Sequence, residues 1–168
     1  GGIRRYLEKG GRALARDLFN LSYDERDAGA LGEAAKEACA WDAEMDATRA
    51  AFGTDASWRG KPARTFKHFV LSPDPGDDID LAALRELACS WALKHFGDHE
   101  IAIVYHDDNA RGIPHAHIVV NNANLRTGYR MQTQHPEDLN RDLQDMARAR
   151  GLSGLSNDCL LYTSPSPR

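Results

Sequence analysis

Several things that would each decide the chemistry of this chain are missing from it. Its three cysteines, Cys39, Cys89 and Cys159, have neither metal-ligand spacing nor the density of a disulfide framework, which excludes a stapled scaffold and points to a reducing compartment. No apolar run approaches the length that spans a bilayer, so no membrane insertion is expected. A basic excess is also absent: the formal net charge is −4, which excludes a uniformly basic nucleic-acid coat. Neither a serine elbow nor an activated cysteine is present to act as nucleophile. The chain opens at Gly1 without Met and without a leader-like stretch, and its native start is expected to lie upstream.

What is present suits one soluble domain, since 168 residues can bury a proper core. The charge is segregated. Cations gather in residues 1–16 and again at Arg59, Lys61, Arg64 and Lys67, whereas acids gather in 24–46 and 74–80. The final ten residues, CLLYTSPSPR, share neither the composition nor the periodicity of the rest. Reverse translation makes them resemble a transposase-type sequencing adapter read in frame, so 159–168 are expected to be foreign and the native sequence to continue differently beyond about Asp158.

In chain order, residues 2–9 read as a short basic helix carrying Tyr6 and stopped by Gly10 and Gly11, and Asp17 to Ser22 as a short strand before Tyr23. Apolar residues from Leu31 to Phe52 recur at helical spacing, which predicts one helix over 27–52 ended by Gly53. Residues 65–72 read as a strand carrying His68, followed by a turn-rich PDPGDD. Asp80 is placed to cap a helix with Leu84, Leu87, Ala88 and Trp91 on one stripe; His95 and His99 near its end read as surface residues. Pro136 opens a last helix that ends before Gly151. This irregular alternation, with at least one hairpin, predicts an α+β fold: a two-layer sandwich with a central antiparallel sheet flanked by helices.

The most informative stretch is IAIVYHDDNARGIPHAHIVVN, residues 101–121, two strands joined by a polar loop. Alternation sends His115 and His117 to one face, about 7 Å apart, and puts His106 on the row shared with Ala102 and Val104. Antiparallel pairing through 107–114 then brings three imidazoles to one point. Three histidines without a fourth protein ligand form the pattern of an open catalytic metal site. With serine and cysteine excluded, Tyr6 is a candidate nucleophile, because Arg5, Lys9 and Arg12 around it would attract a phosphate and favour phenolate.

The run from His106 and Asp108 to Pro114-His-Ala-His-Ile-Val-Val-Asn121 resembles the third motif of relaxases, the mobilisation nucleases among the HUH endonucleases; RYLEKGGRALAR resembles their first motif, and HFVLSPDP their central strand. The resemblance runs from about residue 3 to about 156. It implies Tyr6 as nucleophile, His106, His115 and His117 as metal ligands, and Asp108 as a proton-transfer or orienting group. It implies a first strand missing ahead of the tyrosine helix, so that 1–158 would be a relaxase domain truncated at both ends. The implied reaction is strand- and site-specific nicking and rejoining at a transfer origin through a 5′-phosphotyrosine, with Mg or Mn favoured and Zn, Co or Ni possible. Arg5, Lys9, Arg12, Lys61, Arg64, Lys67, Arg126 and Arg130 are candidate DNA contacts. Tyr23, His68 and Asn121 are candidate accessory residues. The implied partners are single-stranded origin DNA, accessory relaxosome proteins and a secretion coupling protein, in the bacterial cytoplasm. Two other readings use the same residues: a three-histidine metallohydrolase without a covalent step, and a module that binds an origin without cutting it.

Overall fold

A computed structural model describes residues 2–132 and 135–153, together with the backbone of 160–163. Strands β1 (Ala15–Phe19), β2 (Phe66–Leu71), β3 (Ile101–His106), β4 (His115–Asn121) and β5 (Leu160–Thr163) form one open sheet in the order β1-β3-β4-β2-β5. Every neighbouring pair is antiparallel. The short β5, Leu-Leu-Tyr-Thr, pairs with the outer edge of β2 and falls within the segment read as adapter-derived. Cys159 and residues 164–168 lie outside the described residues. The helices are α1 (Gly2–Glu8), α2 (Ala28–Ala38), α3 (Trp41–Phe52), α4 (Leu81–Phe96) and α5 (Pro136–Ala149). The α+β class and the helix-flanked antiparallel sheet agree with the sequence reading.

The two faces of the sheet are built differently. On one, Ile101, Ile103, Tyr105, Ala116, Ile118 and Val120 meet Leu84, Leu87, Trp91 and Phe96 of α4 and Leu139 and Leu143 of α5. Each fully buried side chain of this size contributes about 1.5–3 kcal/mol. Trp91 Nε1 donates to the Leu139 carbonyl at 3.1 Å, fixing α5 against α4. Asp80 accepts from the Ala83 amide at 2.8 Å and caps α4 as its position suggests. On the other face Ala102, Val104 and Val119 meet Leu7 of α1 and Trp41 and Met45 of α3.

Two expectations need correction. The helix over 27–52 is broken: Gly32 has a φ of +79°, and Cys39 is extended at φ −71°, ψ 107°. The turn lets Cys39, Trp41 and Met45 all enter the second core, so burial overrides the continuous helical period. The α3 end is as read, with Gly53 left-handed at φ 72°. The histidines near the end of α4 are not surface residues. His95 packs on Trp91 and pairs with Asp142 at 2.6 Å, and the buried His99 bonds the Asn121 carbonyl through Nδ1 at 2.8 Å.

Candidate active site

The site is made by strand alternation at one end of the β3-β4 hairpin. His106 faces His115 directly and Val104 faces His117, so all three rings emerge on the face shared with α1. Ring centroids lie 4.5 Å apart for His106 and His117, 5.1 Å for His115 and His117, and 5.5 Å for His106 and His115. One nitrogen from each lies within 4.8 Å of the others. The connecting loop is braced by Asn109, which bonds both the amide and the carbonyl of Ile113 at 2.8 Å.

In two of the rings, one nitrogen is anchored and the other is left over. His106 donates through Nε2 to the Leu7 carbonyl at 2.6 Å, while its Nδ1 is buried without a partner. His117 Nδ1 lies 3.0 Å from His68 Nε2, while its Nε2 is buried without a partner. An unsatisfied buried polar atom costs about 1–3 kcal/mol, and two of them on rings of one three-histidine cluster fit a metal ion. His115 has Nδ1 3.4 Å from the Ile113 carbonyl and Nε2 4.0 Å from Asp108. Burial, then mutual repulsion, lowers His117 to about 3 and His68 to about 4; burial also lowers His106. At neutral pH these imidazoles keep the lone pairs that a metal needs.

Tyr6 stands on α1 immediately before Leu7, whose side chain enters the second core and whose carbonyl meets His106. The Tyr6 ring itself is 60% exposed. Arg12 links it to the loop: its Cζ is 5.2 Å from the Tyr6 ring centroid, and Nη1 donates to the Tyr6 carbonyl at 3.1 Å. Arg12 also donates through Nε and Nη2 to one Asp108 oxygen, at 2.9 and 2.7 Å. Slight desolvation would raise the Asp108 carboxyl, but Arg12 holds it below its ordinary value. A chain of contacts thus runs from Tyr6 through Arg12 and Asp108 to His115.

The other residues singled out from sequence divide by position. Arg5 and Lys9 are exposed on α1 and the turn after it, near Tyr6. His68 touches the cluster through His117. Tyr23 is buried in the second core, with Lys36 Nζ 5.6 Å from its ring. Asn121 sits at the opposite end of β4, bonded to Arg49, Glu100 and the Met45 carbonyl. Because Phe66 pairs with Asn121, Lys61, Arg64 and Lys67 also belong to that far end. Arg126, paired with Asp98, and Arg130, bonded to the Ala56 carbonyl, are there too. Sequence reasoning passed over Arg111, an exposed cation in the histidine loop. It lines a cleft of about 550 Å³ with Pro73, Ile113 and His115, and its signal was its place between Asp108 and Pro114.

The model of a protein family described as relaxase, MobA/VirD2-like, nuclease domain matches residues 23–152, a span that includes all three site histidines and begins after Tyr6. Among curated proteins and among solved structures nothing matches the chain significantly.

Proposed function

With well over half of its length matched, the chain belongs to the MobA/VirD2-like relaxase nucleases, domains that nick DNA in mobilisation, and from that premise we propose a metal-assisted, covalent cleavage of single-stranded DNA at a transfer origin with Tyr6 as nucleophile. The observation that carries this reading is the pair of orphaned nitrogens, His106 Nδ1 and His117 Nε2, beside the helix that presents an exposed tyrosine.

His106, His115 and His117 would hold the divalent ion, with Mg or Mn the favoured choice and Zn, Co or Ni also suited to imidazole. Bound there, it would supply Lewis-acid polarisation of a non-bridging phosphate oxygen. Tyr6 Oη forms the new bond to phosphorus and gives its proton to solvent, while the bond to the 3′ oxygen breaks and that oxygen is protonated. Arg12 exchanges Asp108 for the incoming phosphate while staying on the Tyr6 ring. Asp108 orients Arg12 and His115, and His68 fixes the ring angle of His117. Arg5, Lys9 and Arg111 supply positive charge along the strand. Rejoining is the reverse attack by the free 3′ hydroxyl, which needs no ATP because the phosphotyrosyl ester keeps the bond energy. The same reading places the protein in the bacterial cytoplasm with accessory relaxosome proteins and a secretion coupling protein; none of the described helices is long and apolar enough to cross a membrane.

The test is incubation with Mn²⁺ and a randomised single-stranded library, followed by mass spectrometry of the protein. A nucleotide adduct on Tyr6, lost in Tyr6→Phe with DNA binding retained, is expected. Cleavage without any tyrosine adduct would replace covalent attack by metal-bound hydroxide, and an adduct on Tyr23 would move the nucleophile. A chain ended at Asp158 is expected to form the same adduct.

A further inference from the structure

Aromatic and basic side chains unused by the chemistry gather at the end of the sheet away from the histidines. Two loops meet there, 53–65 ahead of β2 and 122–130 after β4. Asn122 stitches them by donating to the Thr54 carbonyl at 2.9 Å and the Arg64 carbonyl at 2.8 Å, and Arg130 donates to the Ala56 carbonyl. Gly128 lies against the Phe52 ring, its missing Cβ 3.5 Å from Cδ1. Three of the six exposed large hydrophobic residues among those described belong to this surface: Phe52 at 42%, Trp58 at 66% and Tyr129 at 74%.

Trp58 is exposed but not loosely mounted. It exchanges backbone hydrogen bonds with Lys61 at 3.0 and 2.9 Å across Arg59 and Gly60. Those two residues have φ of +49° and +76°, as a tight two-residue hairpin turn requires. Arg59 lies over the Trp58 ring, its Cζ 5.5 Å from the centroid. The charge is one-sided. The loops themselves carry Arg59, Lys61, Arg64, Arg126 and Arg130 against a single acid, Asp55; of the neighbouring acids, Asp98 pairs with Arg126 at 3.2 Å and Asp46 with Arg49, in a chain whose net charge is −4.

Cations beside upright aromatic faces recognise phosphates joined to unstacked bases. Duplex DNA hides its base faces, so the exposed rings favour single strands over duplex. We propose that this surface is a second binding site for single-stranded DNA, with bases stacked on Trp58 and Tyr129 and the backbone following Arg59, Lys61 and Arg64. Along β4 this end lies about 13 Å from His117 and about 20 Å from His115, so one strand is anchored at one end of the sheet and cut at the other. The identity of that strand rests on the nicking reading; the binding does not.

The test uses the full chain, in EDTA, with an oligo-dT ten nucleotides long. Trp41 and Trp91 are fully buried, so Trp58 is the tryptophan that bases can reach. Saturable, salt-sensitive quenching of tryptophan fluorescence is expected, with Tyr6→Phe behaving as wild type. By anisotropy of the fluorescein-labelled oligonucleotide, Trp58→Ala and Tyr129→Ala are each expected to weaken binding about tenfold. Both side chains are exposed, so these variants keep the fold. Binding without quenching, wild-type affinity in Trp58→Ala, equal quenching by a duplex of the same length, or no binding at all would each overturn the proposal. A Tyr6 adduct without Trp58 quenching leaves the nicking reading standing and removes this site; quenching without any adduct does the reverse.

Discussion

The same two strands, β3 and β4, do different work on their two faces. Tyr105 and Ala116 point into a dry core roofed by α4 and α5, while their sequence neighbours His106, His115 and His117 point to the other side and form a polar cluster under a thinner cover. Because adjacent side chains are opposed, a residue that stabilises can stand next to one that reacts without sharing its surroundings. The two faces should therefore fail separately.

Ile118→Ala is the strongest way to break the dry face. A loss of about 2–5 kcal/mol is expected in urea unfolding, with the specific nicking rate of the molecules that remain folded unchanged. A fall in that rate would show that the faces are coupled. On the histidine face, His68→Phe keeps an aromatic ring beside His117 but removes its hydrogen-bond partner. Metal affinity is expected to drop about 10–100-fold by isothermal titration with Mn²⁺, while unfolding stability of the metal-free protein falls by about 1–3 kcal/mol because His117 Nδ1 loses its partner. The smallest effect tests the polar exception on the dry side. Asp17 is buried, and that burial would raise its carboxyl, but Arg85 at 2.6 Å and the Tyr105 hydroxyl at 2.7 Å hold it below its ordinary value. Asp17→Asn is expected to cost about 1 kcal/mol at pH 7. The depressed carboxyl contributes fully above its unfolded pKa of about 3.9 and loses that contribution as pH falls through the folded value, so the gap between variant and wild type should close in acid.

The histidine cluster was legible because its determinants are local: a period of two on each strand and a loop short enough to enforce antiparallel pairing. The cationic neighbours of Tyr6 could be read from the sequence, but the contact that ties it to the cluster could not, since Arg12 and Asp108 are 96 positions apart. His68 could be named as an accessory candidate, but its place against His117 needed knowledge that β2 lies beside β4, a pairing no local pattern encodes. The basic residues from Lys61 to Lys67 and from Arg126 to Arg130 could be grouped by charge, but only the strand directions put them at the end away from the histidines. The break at Cys39 was hidden because alanine-rich helical spacing continues across it; what interrupts the helix is the tertiary demand of Trp41 and Met45.

The hydrogen bond from His106 Nε2 to the Leu7 carbonyl fixes a tautomer and thereby joins two equilibria. With the proton held on Nε2 by the backbone of the tyrosine helix, Nδ1 is kept as the acceptor. A cation at Nδ1 would acidify Nε2 and tighten the helix contact; docking of the helix would raise the basicity of Nδ1. Reciprocity then requires that whatever affinity the helix lends the cation, the cation returns to helix docking in equal measure. A cation at this site and the docking of the first helix would then be coupled through the two nitrogens of a single ring.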